Sequence, residues 1–138
     1  MTFPELIRCQ ENLLRRLLAA SQQQIEIAER GDATILEQFL VQRGQLWIEF
    51  EQILQLLAPF KGLPPEQRVW KNPEERQHTE SAVNRCKELL LEIYANNQKS
   101  LTIGEELKEK VEKDLRRVQQ AKNAAPAYMK QSQIQRRS

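Results

Sequence analysis

The 138-residue chain, 40% hydrophobic and 29% charged, is long enough for one core and too short for two. Its 21 basic and 19 acidic side chains leave a formal charge of +2 with both signs interspersed along most of the chain, which implies no strongly charged partner. Four glycines, an abundance of Leu, Glu, Gln, Lys, Arg and Ala, and no apolar–polar alternation of strand length exclude a sheet and point to an all-α chain.

The first helix is expected from about Pro4, a residue suited to a first turn, to Arg30, with Gly31 as the left-handed residue that ends it. Ile7, Leu14, Leu18, Ile25 and Ala28 make one apolar stripe, and Leu6, Leu13, Leu17 and Ile27 a second beside it. So broad a face suits packing against more than one helix. Asp32 can accept from the free amides of a following first turn, so Gly31-Asp32 reads as a tight reversal.

The second helix is expected over about Ala33–Ala58, stopped by Pro59. Leu36, Leu40, Trp47, Phe50, Leu54 and Leu57 share a stripe, with Phe39, Leu46 and Ile53 adjacent. Arg43 interrupts that stripe between Leu40 and Trp47. It reads either as a cation offered to a partner groove or as a stem packed on the core with its head reaching water or an acidic neighbour.

Residues from about Pro59 to Asn72, with Gly62, Pro64 and Pro65, form a loop by composition, long for a bundle connection. Trp70 either pins this loop to a helix or stands out as a partner anchor. Asn72-Pro73 then opens a segment that can stay helical to about Asn123, where Ala124-Ala125-Pro126 is expected to break it. Roughly 50 residues at about 1.5 Å each span about 75 Å, far more than either earlier helix, so this third helix overhangs the others or breaks. The break is expected near Leu101-Thr102-Ile103-Gly104 and would yield a fourth helix.

Val83, Cys86, Leu90, Ile93 and Asn97 are expected to face the core, and beyond Gly104 a single narrow stripe, Leu107, Val111, Leu115 and Val118, runs among Lys and Glu. One line of aliphatics at three- and four-residue steps is the geometry of a two-helix seam; the plainer reading is a last helix folded back on the bundle. The expected organisation is a single antiparallel bundle domain over residues 1–123 and a flexible tail over 124–138. In that tail Tyr128 and Met129 are the apolar candidates for docking or binding, and Lys130, Arg136 and Arg137 read as a solvated basic end.

Catalytic, cofactor and metal sites are not expected. Cys9 and Cys86 have no paired spacing, His78 is alone, and no phosphate loop, HExxH or calcium-loop pattern occurs. Glu74-Glu75 and Glu105-Glu106 sit among basic residues at helical spacing, as on a solvated face. Nucleic-acid binding would want a basic face and a pI well above 8.6, and no stretch is long and apolar enough for a membrane span. Free thiols and the lack of a secretory pattern at Met1–Glu5 suggest the cytoplasm. The expectation is a protein that is not an enzyme and works by binding another protein through Arg43, Leu107, Val111, Leu115, Val118 and Tyr128.

Leu13-Leu14 through Ile25, the Gly31-Asp32 turn, and Leu36, Leu40, Arg43 and Leu46 together resemble the layout of small flagellar type III export chaperones. Leu115-Arg116-Arg117-Val118 followed by Ala127-Tyr128 is similar to the end of the FliT group, ahead of its relative FlgN. The resemblance implies a cytoplasmic chaperone that masks the C-terminal helical region of a flagellar cap or hook-junction subunit before export, with the cap protein first. It also implies export-ATPase components as partners. A last helix docked weakly over the client groove would compete with the client, which makes the Leu107-Val111-Leu115-Val118 stripe a candidate gate. The other reading is a dimeric coiled-coil adaptor or scaffold, a homodimer whose seam includes Leu107 and Leu115.

Overall fold

A computed structural model describes residues 1–137, with side chains through residue 124. Three α-helices, α1 (Phe3–Arg30), α2 (Ala33–Lys61) and α3 (Pro73–Arg137), carry nearly the whole chain, and a single 3₁₀ turn, Pro65–Gln67, lies between the last two. Among the described residues there is no strand. The expected all-α bundle of three long helices is what forms. It divides into two compact units, Met1–Leu101 and Thr102–Ser138.

In the first unit the helix ends follow from local chemistry. Thr2 caps α1: its Oγ1 accepts from the Glu5 amide at 3.3 Å while the Glu5 carboxylate accepts from the Thr2 amide at 3.1 Å, so two otherwise orphaned donors are satisfied reciprocally. Gly31 takes φ 73° and donates its amide to the Ala28 carbonyl at 3.1 Å, a conformation that strains any residue with a Cβ. Asp32 then accepts from the Ile35 amide at 3.1 Å and opens α2. Asn72 caps α3 in the same way, accepting from the Glu75 amide at 2.7 Å ahead of Pro73.

The core runs along the bundle in layers. At one end Phe3, Leu6, Ile7, Leu57 and Ala82 pack together, closed by Phe60 and Trp70. In the middle Leu13, Leu14 and Leu17 of α1 meet Phe50 of α2 and Cys86, Leu89 and Ile93 of α3. Beyond them the packing turns polar, with Ser21, Gln24 and Ser100 buried.

The loop between α2 and α3 is pinned. The Trp70 ring meets Phe3 edge-on at 6.0 Å and its Nε1 donates to the Pro65 carbonyl at 3.1 Å. Arg68 lies 4.2 Å from the Phe3 ring centre and donates through Nε and Nη2 to the Phe60 carbonyl.

Three boundaries differ from expectation. Pro59 does not end α2, which runs to Lys61; Gln55, whose carbonyl loses its donor to Pro59, is solvent-exposed, so the lost bond leaves no buried orphan. Gly104 does not break α3: the expected loss is only about 1 kcal/mol against alanine, and a helix of this length absorbs it. The helix also continues past Ala124-Ala125-Pro126, where one proline removes one donor while the flanking alanines, the strongest helix formers, favour continuation. The side chains of 125–138, Tyr128 and Met129 among them, lie outside those described.

Candidate partner-binding surface

Helix α2 is apolar on more faces than the bundle can cover. Only Phe50 and Leu57 are buried, while Ile35, Leu40, Val41, Ile48 and Leu56 are exposed. A helix apolar all round is ordinarily covered on all sides. On α3, Leu89, Leu90 and Leu91 follow one another at about 100° each around the axis, so they cannot all face one core. Leu89 is buried, Leu90 is half-buried, and Leu91 is 70% exposed.

Leu90 and Leu91 line an open groove of about 510 Å³ between α2 and α3, together with Trp47, Lys87, Ile93, Tyr94 and Asn97. Trp47 is held edge-on against Phe50, ring centres 5.7 Å apart, so the floor is fixed by the core beneath it. Tyr94 is 64% exposed on the rim. One turn before Trp47 stands Gly44, where an added Cβ would meet nothing within 4 Å.

Arg43 sits just behind this surface. Its Nη1 donates to the Gln24 side-chain oxygen and, at 3.1 Å, to the Asn97 side-chain oxygen, bridging all three helices. Its Nε is buried, and among the described residues it has no hydrogen-bond partner and Arg43 makes no ion pair. Burial holds its pKa below the ordinary guanidinium value, yet a guanidinium remains charged at any physiological pH. Neither sequence reading anticipated this: the head reaches neither water alone nor an acidic neighbour, but two neutral amides. Ser21 donates to the Leu18 carbonyl at 2.7 Å and accepts from Asn96 at 3.0 Å, while the buried Ser100 hydroxyl has no partner among the described residues.

The chain matches no protein-family model, no curated protein and no solved structure.

A second groove, of about 640 Å³ between the starts of α1 and α3, is lined by both charge signs and by His78. Two of its charges satisfy each other: Arg85 donates to Glu11, which also pairs with Arg15 at 3.8 Å. Cys86 is buried, and burial, reinforced by the Glu11 charge, pushes its thiol up to about 11, so it is no nucleophile at neutral pH. Among the described residues no cluster of potential metal ligands forms, and no helix is long and apolar enough to cross a membrane.

Of the residues singled out in the sequence, Arg43 lies in the first unit and Leu107, Val111, Leu115 and Val118 in the second. Those four share a face of α3, Leu107 half-buried and Val111, Leu115 and Val118 exposed by 49%, 61% and 54%. Tyr128 lies outside the described side chains. Gly44, Lys87, Leu91 and Tyr94 were not foreseen, although three consecutive leucines and a glycine inside an apolar helix were the signals that could have found them.

Proposed function

We propose that the protein binds, without catalysis, an amphipathic helix of another protein along the α2–α3 groove. The observation that carries this is the apolar lining of that groove, with Leu91 and Tyr94 exposed on it. Helix-in-groove recognition needs that combination of a fixed apolar floor and outward aliphatic and aromatic anchors. In its specific form the reading is a cytoplasmic export chaperone of the FliT-like kind, masking the C-terminal helical region of a flagellar subunit, the filament cap protein first, and handing it to export-ATPase components. The support for that form is the resemblance in layout, now joined by a groove of the right chemistry. A pull-down from native extract with the wild-type chain and a Leu91→Asp variant tests it. Capture of a flagellar cap, hook-junction or export-ATPase chain by the wild type and not by the variant is expected. Equal capture by both would remove the groove from the account.

A second reading rests on the second unit, where the exposed Val111, Leu115 and Val118 form a seam without cover among the described residues. On that reading the chain is a dimeric adaptor with no export role. Sedimentation as a dimer, abolished by Leu115→Asp, would favour it.

A further inference from the structure

We infer that the helix held in the α2–α3 groove is acidic at both ends of its apolar stripe, with two carboxylates about three turns apart. This rests on the groove reading above and specifies its occupant.

The groove's lining contains a lysine and no carboxylate. Lys87 stands at one end, exposed and without an ion pair among the described residues. At the other end is Asn97, and directly behind its side-chain oxygen is the Arg43 guanidinium. That charge is half-buried and compensated by no carboxylate, its Nε unpartnered. A buried, uncompensated cation is costly, so a carboxylate arriving beside Asn97 gains more there than it would at an open surface. Ten residues separate Lys87 from Asn97, about 15 Å along α3, which on an occupant lying alongside corresponds to about three helical turns.

Gly44 supplies an independent observation. A glycine within α2 costs about 1 kcal/mol against alanine, and no neighbour within 4 Å requires its smallness. It lies one turn before Trp47 on the same side of α2, next to the residues that line the groove, and its missing side chain leaves open space for a second backbone to come close there. A second copy of this chain does not fit the charges, because a two-fold contact would set a cationic lining against itself.

The test uses the full chain and three labelled 18-residue helical peptides with one leucine stripe, flanked three turns apart by Glu, by Gln or by Lys. Binding is read by fluorescence anisotropy at low and at moderate salt. The Glu peptide is expected to bind about ten-fold more tightly than the Gln peptide, the Lys peptide most weakly, and the spread should narrow with salt. Lys87→Glu, at an exposed position, should reverse the preference between the Glu and Lys peptides. Gly44→Ala should raise the melting temperature and yet weaken the Glu peptide several-fold. Equal binding of all three peptides, lost in Leu91→Asp, would overturn the acidic occupant while leaving the groove in use. If no peptide binds and Trp47 emission does not move, the inference and the groove reading both fall. Gly44→Ala binding as tightly as wild type would remove the close approach.

Discussion

Arg43 allows the reasoning about the polar layer to be tested by stability alone. Arg43→Met keeps much of the stem's bulk and removes the charge, leaving the Gln24 and Asn97 oxygens without their donor. Hydrogen bonds from a charged donor contribute about 1.5–3 kcal/mol each, and a buried acceptor left alone costs about 1–3 kcal/mol. Against this stands the relief of a buried cation with an unpartnered Nε. Gln24 is 8% exposed whereas Asn97 is only half-buried, so the loss falls mainly on one acceptor and the net destabilisation should be about 2 kcal/mol. With a urea slope of ~2 kcal/mol/M, that moves the unfolding midpoint down by about 1 M. Adding Gln24→Leu and Asn97→Leu removes both orphaned acceptors, and the triple variant should recover to wild-type stability or above, since apolar replacement of a whole buried polar group is often neutral or stabilising. Urea unfolding followed by far-UV circular dichroism measures all three chains. If Arg43→Met alone unfolds no earlier than wild type, the amide contacts are not what holds Arg43. If the triple variant is no better than the single, the orphaned acceptors are not the source of the loss.

Two further predictions concern the middle of the core. Leu14 is fully buried between all three helices, so Leu14→Ala should cost about 3 kcal/mol in unfolding free energy, well above any change at the exposed Leu91. Cys86 should resist a disulfide reagent that labels the half-buried Cys9 at neutral pH. Its folded-state pKa is raised from 9.0 to about 11, so the neutral thiol is favoured on folding and its contribution is complete below pH 9. That contribution, on the order of 2 kcal/mol, is lost as pH rises from 9 through 11. Cys86→Ala should therefore flatten the alkaline limb of a pH–stability curve; an unchanged limb would contradict the assignment.

The parts of the fold legible in the sequence are those set by local chemistry. Gly31-Asp32 and Asn72-Pro73 behave as read because a left-handed residue and side-chain caps depend on few neighbours. The Thr2–Glu5 capping box is an equally local signal, and it starts α1 one residue ahead of the position expected from Pro4. Pro59 and Gly104 show the limit of such signals: each lowers a helix's stability by a few kcal/mol at most, and the rest of the helix decides. Core facing is legible on α1, where Leu6, Ile7, Leu13, Leu14, Leu17, Ile27 and Ala28 are buried and Leu18 and Ile25 half-buried. On α3 it is less complete: Leu90 packs half-buried against the core as expected, but the more deeply buried Leu89 is not foreseen, because a run of three leucines leaves the phase of the helix open. The candidate site was the least legible part, since a groove is made by two helices and its register is a tertiary fact.

The stripe of the second unit separates the two functional readings by magnitude. Val111, Leu115 and Val118 each keep about half of their surface in water, so burying the remainder is worth about 1 kcal/mol apiece, or about 6 kcal/mol for a pair of chains. Association costs an estimated 4–15 kcal/mol before any gain appears, and a coiled coil ordinarily sustains its pattern for at least three or four heptads, whereas Leu107 to Val118 spans fewer than two. Glu106, Glu109 and Glu112 each precede a Lys or Arg by four residues, a spacing that supports a helix exposed on its own and asks for no partner strand of the seam. The chain should therefore sediment as a monomer at about 10 μM. A dimer that persists on dilution to about 0.1 μM would mean that the seam extends beyond these residues and would move the function to the adaptor. A monomer removes the seam from the account and leaves the α2–α3 groove, with its apolar lining and the charges at its two ends, as the candidate partner surface.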